Sequence, residues 1–442
     1  MSVITTAFLA CLVLLIYLSI KNLAQGLAIA AAFLAFEQYF DVGITLTSSE
    51  LLVLGLCFGL LIGFFRQDYS LSAVVKTASP FVPFVVWLAI TAVFAESRAD
   101  AVKDVARWLS FFAIYVVSAA AVKREHDARR LALFLVAASV PAVLYGLSQP
   151  LLGPASAAFE LEPFSRPETT FWLTIGGLTR ARSVFHQANN FACYLLLVAP
   201  LALLLAVHAK TKGTKIAASV IFCLHLTAIM LTFSRVSWPL TVLSLVTIWA
   251  LTKTHAKRRV NPKLLLLPAI GILVILIAVG FGVFRGSDYA SLVAKHSGHQ
   301  RLDLYRFGAG MLRERPILGV GPGNYCLAAS RIDTEMSHGA EKLKQTHLHS
   351  LYLHTAVEAG LPGLALLLFF VFTVGLKLAV AARSSAPGEA RWMATALFVG
   401  AASFFAYNLI DTFRFHSVHL VAATLMGAGV GLAERTRSGS VN

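Results

Sequence analysis

The feature that most constrains the fold of this chain is its series of long, continuously apolar runs. Runs of roughly 17–25 residues are long enough to cross a hydrocarbon layer of about 30 Å as α-helices. Hydrophobic residues make up 57% of the 442 residues and charged residues only 13%, which leaves too little polar surface to cover a soluble core. The sequence therefore predicts an all-α polytopic membrane protein. The predicted spans are residues 3–20, 23–40, 51–65, 80–95, 107–122, 130–150, 188–207, 215–233, 236–252, 263–284, 350–382, 391–409 and 416–433.

The runs give about 12 transmembrane helices (12–13), because only Lys21 and Asn22 separate the first two. An even number of spans puts both termini on one side of the membrane, and an odd number puts the N-terminus on the other side. The N-terminal topology therefore stays open between these two counts.

The formal net charge of +15 is explained by basic loops and does not require a nucleic acid partner. Loops rich in Lys and Arg stay on the cytoplasmic side, and these loops share one side if the spans alternate. They are residues 123–130, 210–215, 253–263, 383–391 and the tail from 435. The opposite, periplasmic face then receives loops 151–183 and 285–349 and the turns at 234–235 and 408–416.

Several arginines fall on this outer face, where arginine is usually scarce. Long loops escape the positive-inside rule, which accounts for Arg313 and Arg315. It does not account for Arg235, which lies at the tip of a very short turn and needs an anionic partner or a wet cavity. Arg301 and Arg306 lie in an amphipathic stretch, and we expect both to bind an anion because guanidinium grips phosphate bidentately. The outer-face set is Arg180, Arg182, Arg235, Arg301, Arg306, Arg313 and Arg315.

The run Pro316–Tyr325, PILGVGPGNY, is rich in glycine and proline. It has no preceding strand and no Gly-Lys-Ser/Thr ending, so it does not fit a nucleotide-binding loop. We expect Pro316 to end the preceding helix and the glycines to allow sharp turns back towards the membrane.

Histidines cluster after this run, at His347 and His349, with His354 and Glu358 following. If 347–358 were helical, His347, His354 and Glu358 would share one face while His349 pointed elsewhere. A metal site is conceivable there, and so is a structural pair of His354 with Glu358. There is no HExxH motif, and the five cysteines show no CxxC spacing, so the sequence predicts no metal site and no disulfide framework.

A family resemblance rests on these same residues. His349-Ser350 and the segment Gly360–Gly363 are separated by nine residues, a spacing that resembles a signature of bacterial O-antigen ligases. The likeness extends over about residues 180–365 to the wider superfamily of ligases, O-antigen polymerases and protein O-oligosaccharyltransferases. The other similar stretches are 182–191 (RSVFHQANNF), 231–235 (LTFSR) and Arg301 with Tyr305, leading into 316–325. Two departures are Tyr305, where the family more often has Trp, and Ser350, which replaces the commoner Asn.

The resemblance implies a GT-C-like membrane fold with a helical periplasmic loop domain. The implied enzyme is a glycosyltransferase of lipopolysaccharide biosynthesis in the bacterial inner membrane, with its active site facing the periplasm. It would transfer O-antigen polysaccharide from undecaprenyl pyrophosphate to lipid A–core, with no cofactor. Because the sequence shows no carboxylate cluster beside the His and Arg groups, we also expect transfer to need no metal. The implied segments are an N-terminal transmembrane bundle (1–284, with a short periplasmic loop at about 151–183), a periplasmic catalytic loop (285–349) and C-terminal transmembrane helices (350–442).

Carried over by position, His349 is the general base. Arg235 and Arg301 hold the pyrophosphate, and Arg180, Arg182 and Arg306 are further candidates for the same anion or the sugar. His347 has an acceptor-docking or structural role. This assignment fits the chemistry, since arginines stabilise a departing diphosphate and a histidine deprotonates an acceptor hydroxyl.

Three other functions remain open from the sequence. An O-antigen or exopolysaccharide polymerase uses the same donor but a lipid-linked acceptor. A protein O-oligosaccharyltransferase tends, in the family, to carry a large additional C-terminal domain. A transporter predicts ionisable residues near mid-span or interrupted helices in matched halves, and His225 is the candidate of that kind.

Overall fold

Long apolar helices dominate the part of the chain that the computed structural model describes. That part comprises residues 3–152, 174–175, 178–252, 287–332 and 347–438, apart from short gaps at 35, 37–38, 42–44, 186, 387 and 414–416. The helices are α1 Val3–Lys21, α2 Leu23–Phe33, α3 Ser48–Phe65, α4 Leu71–Ala78, α5 Val82–Val93, α6 Arg98–Ala121, α7 Glu125–Leu152, α8 Ala188–Val207, α9 Lys212–Leu231, α10 Ser237–Thr252, α11 Ser287–Glu314, α12 Tyr325–Ile332, α13 Leu351–Ser384, α14 Glu389–Tyr407 and α15 Val418–Ser438.

Two small antiparallel hairpins interrupt the helices of the described residues. Strands β1 Tyr39–Asp41 and β2 Thr45–Thr47 pair with Phe40 opposite Leu46. Strands β3 Thr174–Ile175 and β4 Leu178–Thr179 form the second pair. The first hairpin corrects the predicted span 23–40, because the helix there ends at Phe33 and the chain turns into a strand.

Six described helices are long and apolar enough to cross a membrane, or up to seven if a bent pair counts as one span. The six are α3, α6, α7 (over Glu125–Pro150), α8, α9 and α13. The bent pair is α4 with α5, at an angle of 65°, where the sequence predicted one span at 80–95. The predicted span 263–284 lies outside the described residues. A multi-pass helical membrane protein is confirmed, while a total of about 12 spans stays a prediction.

Helix α8 is the centre of the bundle. Its apolar window is 89% buried, against 28% for α13, whose outward side carries exposed Phe369 and Phe372. In a membrane protein, such exposed apolar side chains mark the surface that contacts the hydrocarbon layer.

Two of the predicted basic loops, 123–130 and 383–391, meet at one end of the bundle. Arg129 near the start of α7 forms an ion pair with Glu389 at the start of α14. The ring of His208, which follows α8, lies 5.5 Å from Trp392 of α14. Arg391 donates to the carbonyl of Ser385 at 2.8 Å. The opposite end therefore collects the turns that the sequence placed on the outer face.

Helix α13 is broken at Gly360, where φ is 71° and ψ is 179°. The carbonyl of Glu358 would normally accept from the N–H of residue 362, but Pro362 has no N–H, so this helical hydrogen bond is missing. The run Pro316–Tyr325 supplies replacements: Val320 N–H donates to Val357 O at 2.9 Å and Gly321 N–H to Glu358 O at 2.9 Å. In return, Leu361 N–H donates to Pro316 O at 2.8 Å.

The glycines of the run behave as the sequence predicted. Helix α11 ends at Glu314, and Gly319, Gly321 and Gly323 all have positive φ. A Cβ at Gly319 would lie 2.5 Å from the carbonyl carbon of Glu358. The run can approach α13 this closely only because its glycines have no side chain.

Replacing Gly360 should destabilise the protein. Its backbone conformation is essentially restricted to glycine, at a cost of about 1–3 kcal/mol for other residues. A Cβ there would also lie 1.8 Å from Ile317 O. We expect Gly360→Ala to lower the apparent melting temperature in detergent, measured by size-exclusion chromatography after heating.

The matched control is Gly375→Ala in the same helix, where a Cβ meets nothing within 4 Å. It should leave stability unchanged or raise it by up to about 1 kcal/mol through helix propensity. Equal melting temperatures for the two variants would contradict the proposed role of the break.

Candidate functional site

Four segments meet at the end of the bundle opposite the basic loops. They are the residues before α13, the turn between α14 and α15, the segment leading into α8, and the turn between α9 and α10. Asp411, in the second of these segments, is at the centre of their hydrogen bonds. It is 3% exposed.

The carboxylate of Asp411 is bonded on both oxygens. Oδ1 lies 3.2 Å from Nδ1 of His349 and accepts from Thr412 N–H at 2.9 Å. Oδ2 accepts from Nδ2 of Asn189 at 2.8 Å. A buried carboxylate with several donors is held in its charged form.

The electrostatics of Asp411 agree with this geometry. Burial by itself would raise its pKa, but the hydrogen bond from His349 and the charges of His349, His347 and Arg301 lower the pKa to about 2. Because an ionised carboxylate only accepts hydrogen bonds, Nδ1 of His349 must carry the proton that they share. A neutral His349 in that tautomer has its lone pair on Nε2.

The backbone at His349 and the two residues after it is held by three hydrogen bonds. Its φ is +48°, in a region that few non-glycine residues occupy. The Tyr305 hydroxyl donates to the His349 carbonyl at 2.9 Å, and Ser350 caps α13 by accepting from Leu353 N–H at 3.4 Å. Leu351 N–H donates to the carbonyl of Asn408 at 2.9 Å. These contacts fix the direction of the imidazole.

The condition considered from the sequence, that residues 347–358 form one helix, is not met. Helix α13 begins at Leu351, so the two histidines lie in the segment before the helix, and both face the same carboxylate. Their ring centroids are 4.4 Å apart, and Nε2 of His347 is 3.9 Å from Oδ1 of Asp411. The rings of His347 and His349 therefore converge instead of diverging.

The metal face considered for His347, His354 and Glu358 is not formed. Nε2 of His354 lies 3.2 Å from Oε1 of Glu358, with both side chains almost completely buried. The ring of Tyr325 packs 5.3 Å from that of His354. This is the structural pair that the sequence allowed as the alternative. A different set, His347 with His349 and Asp411, has the spacing to hold a metal ion.

Two of the predicted arginines, Arg180 and Arg301, lie around this centre. Arg180 donates to Thr232 O at 2.6 Å and to Asn189 Oδ1 at 3.1 Å, so it supports the amide that binds Asp411. Arg301 is close enough to lower the pKa of Asp411. Arg235 is exposed and directly follows Ser234, whose hydroxyl bonds to that of Tyr407 at the end of α14.

The other two predicted arginines have different surroundings. Arg182 is 2% exposed, and its Nη1 donates to Phe185 O at 3.1 Å. Burial lowers its pKa to about 10. Arg306 is exposed and pairs with Asp303 at 3.4 Å. Of the five, Arg180 and Arg301 are the two that the contacts and charges connect to Asp411.

His225, the candidate for a transporter, has local partners inside the bundle. Its Nε2 is 2.8 Å from the Ser139 hydroxyl, and its Nδ1 is 2.7 Å from Ile221 O. A buried histidine with both nitrogens bonded in this way has a structural role.

Sequence reasoning missed Asp411 and Asn189. Both lie outside the His349–Gly363 signature, and the contacts that join them to His349 cross long stretches of chain. One signal was present: the turn 408–416 was placed on the outer face, and an acidic residue at a span end is a functional candidate. Only 22 Asp and Glu residues occur in the chain, so Asp411 could have been singled out.

The arrangement combines a proton acceptor with a cluster of guanidinium groups. Asp411 orients His349, and the positive charge of Arg301 acts on the same carboxylate. Such a site can deprotonate a hydroxyl and stabilise a departing phosphate group.

Comparison with protein families gives a match over part of the chain. Residues 218–368 match the family model described as O-antigen ligase, a stretch that runs from within α9 to within α13. Curated proteins give no match. The matched stretch contains His349, Arg235 and Arg301, whereas Asp411, Asn189 and Arg180 lie outside it. Residues 218–368 are thus similar to the O-antigen ligase family, and this match supports a place for the chain in the O-antigen ligase superfamily.

Proposed function

We propose that the chain is an O-antigen ligase, which transfers O-antigen polysaccharide from undecaprenyl pyrophosphate to lipid A–core. The family match supports a glycosyltransferase acting on a lipid-linked glycan. The observation that carries the proposal is the pairing of His349 with Asp411 beside Arg301. That pairing supplies the base and the anion site that the reaction needs.

His349 is the general base in this proposal. Its Nδ1–H is engaged by Asp411 at 3.2 Å, which leaves Nε2 as the atom that accepts a proton. The lipid A–core hydroxyl gives its proton to Nε2 while its oxygen forms the new bond to the anomeric carbon of the donor sugar. The bond from that carbon to the phosphate oxygen breaks, and the electron pair leaves with the diphosphate.

Arg235 and Arg301 stabilise the leaving diphosphate. A pyrophosphate-linked sugar is already activated, so the main demand on the enzyme is charge stabilisation at the leaving oxygen. Arg180 supports the arrangement through Asn189, and Arg182 has a structural role beneath it. Arg306 lies at the exposed rim, where a long glycan can pass.

We also propose a membrane topology for the chain. The chain has about 12 spans in a GT-C-like arrangement in the bacterial inner membrane. The end with His349 faces the periplasm and the basic end faces the cytoplasm, in line with the positive-inside rule.

The direct test is the lipopolysaccharide of a strain lacking the protein. We expect loss of the entire O-antigen ladder, with polymeric glycan accumulating on the lipid carrier, and the wild-type gene should restore the ladder. A core that still carries a single repeat would instead indicate the polymerase.

Removing the base should abolish transfer. We expect His349→Ala and Asp411→Asn to lower the rate by roughly 10²–10⁴-fold, the usual contribution of a positioned base. His347→Ala should have a smaller effect. The measurement is transfer by purified protein in detergent from a lipid-linked donor to lipid A–core.

The donor affinity and the melting temperature of His349→Ala distinguish a catalytic histidine from a structural one. A stable variant that binds donor but does not transfer supports the base. An unstable variant that cannot bind donor indicates a structural histidine, and an active one removes the base assignment.

Lysine should not substitute functionally for Arg235 or Arg301. Arg235→Lys and Arg301→Lys keep the positive charge but lose the planar fork that holds two phosphate oxygens. We expect each to lower the rate a hundredfold or more, about 2.7–4 kcal/mol. The matched control is Arg313→Lys, on the same helix as Arg301 and exposed, which should keep normal activity. Near-normal rates in both site variants would mean that general positive potential is sufficient.

A further inference from the structure

The side chains of His347, His349 and Asp411 also have a cation-binding geometry that the transfer reaction does not use. Their ligand atoms lie within 4.8 Å of one another. Nδ1 of His349 and Nε2 of His347 are 3.2 Å and 3.9 Å from Oδ1 of Asp411. Tetrahedral zinc bonds of about 2.0–2.2 Å place neighbouring ligand atoms roughly 3.3 Å apart. Small side-chain shifts would therefore complete a metal site.

The donor set selects the kind of ion. Two imidazoles and one carboxylate suit zinc and neighbouring transition metals, whereas magnesium and calcium prefer oxygen ligands. Three protein ligands with an open fourth position are typical of exchangeable zinc sites. The side chains of His347 and His349 are 13% and 18% exposed, so an ion and its water can reach them from solvent.

The surroundings orient these ligands in advance. Asn189 donates to the second oxygen of Asp411 at 2.8 Å, and Tyr305 holds the His349 carbonyl at 2.9 Å. Outer partners of this type fix ligand direction in metal sites. The positive charge of Arg301 opposes a divalent cation, so we expect reversible binding and not a permanent structural ion.

We propose that His347, His349 and Asp411 bind one divalent transition-metal ion of the zinc class. The consequence for transfer rests on the function proposed above. A metal on Nδ1 of His349 displaces the proton from that nitrogen to Nε2, with no net change in protonation. Because Nε2 then carries a proton, it cannot accept one from the acceptor hydroxyl. The ion is therefore an inhibitor, and the metal-free protein is the active form.

Binding is tested directly with zinc chloride and cobalt chloride on the full-length protein in detergent. The protein carries a tag without histidine and is stripped with EDTA, which is then removed. Calorimetry should show one ion bound, and cobalt should give the visible absorption of a four-coordinate site. His347→Gln and Asp411→Asn should each weaken binding at least about tenfold.

The control is His126→Gln, at the basic end of the bundle, where the histidine side chain is 57% exposed. It should bind the ion as the wild type does. Each variant is first shown to elute as a single dispersed species. Equal affinity in the wild type and both site variants, or no binding in the wild type, would overturn the proposal.

Transfer assays test the metal site and the proposed function separately. Chelation alone should leave wild-type transfer intact, and added zinc should inhibit it reversibly. For His347→Gln, normalised to its own metal-free activity, half-inhibition should need at least about tenfold more zinc. Zinc that binds the cluster without slowing transfer supports the metal site and contradicts His349 as the base.

Discussion

The organisation of the site depends on one buried carboxylate. An ionised Asp411 is costly inside the bundle unless donors surround it, and its donors come from parts of the chain that are far apart in sequence. His349 precedes α13, Asn189 begins α8, and Thr412 lies in the same turn as the carboxylate. Satisfying this charge therefore draws several helix ends together and, as a result, orients the histidine.

A second constraint acts on the backbone. The break at Gly360 leaves carbonyls of α13 without helical donors, and the run after α11 supplies the replacements. That run also reaches the start of α6, where the amide of Asn324 bonds to both the N–H and the carbonyl of Ser97. The end of α11 is thereby tied to the bundle, while Tyr305 on the same helix bonds to His349. The two glycine-containing motifs are structural elements that position His349.

Local signals were sufficient to predict most of the helices and the stop at Pro316. Periodicity and turn residues act within a few positions, so α8, α9 and α13 were placed close to their observed bounds. The hairpin at Tyr39–Asp41 and the bend between α4 and α5 were missed, because apolar composition alone does not distinguish a strand or a bend from a span. In the site, the partnership of His349 with Asp411 was not predictable, since it depends on tertiary contacts.

The two departures from the family pattern keep the hydrogen bonds that hold His349. Ser350 replaces the commoner Asn, and both residues are good N-caps; Ser350 accepts from Leu353 N–H. Tyr305 stands where Trp is more usual, and each offers one polar hydrogen at the end of an aromatic side chain. Burial raises the pKa of Tyr305, so its hydroxyl keeps the proton that it donates to the His349 carbonyl. In this chain Tyr305 thus supplies a donor and Ser350 an acceptor to the segment around His349.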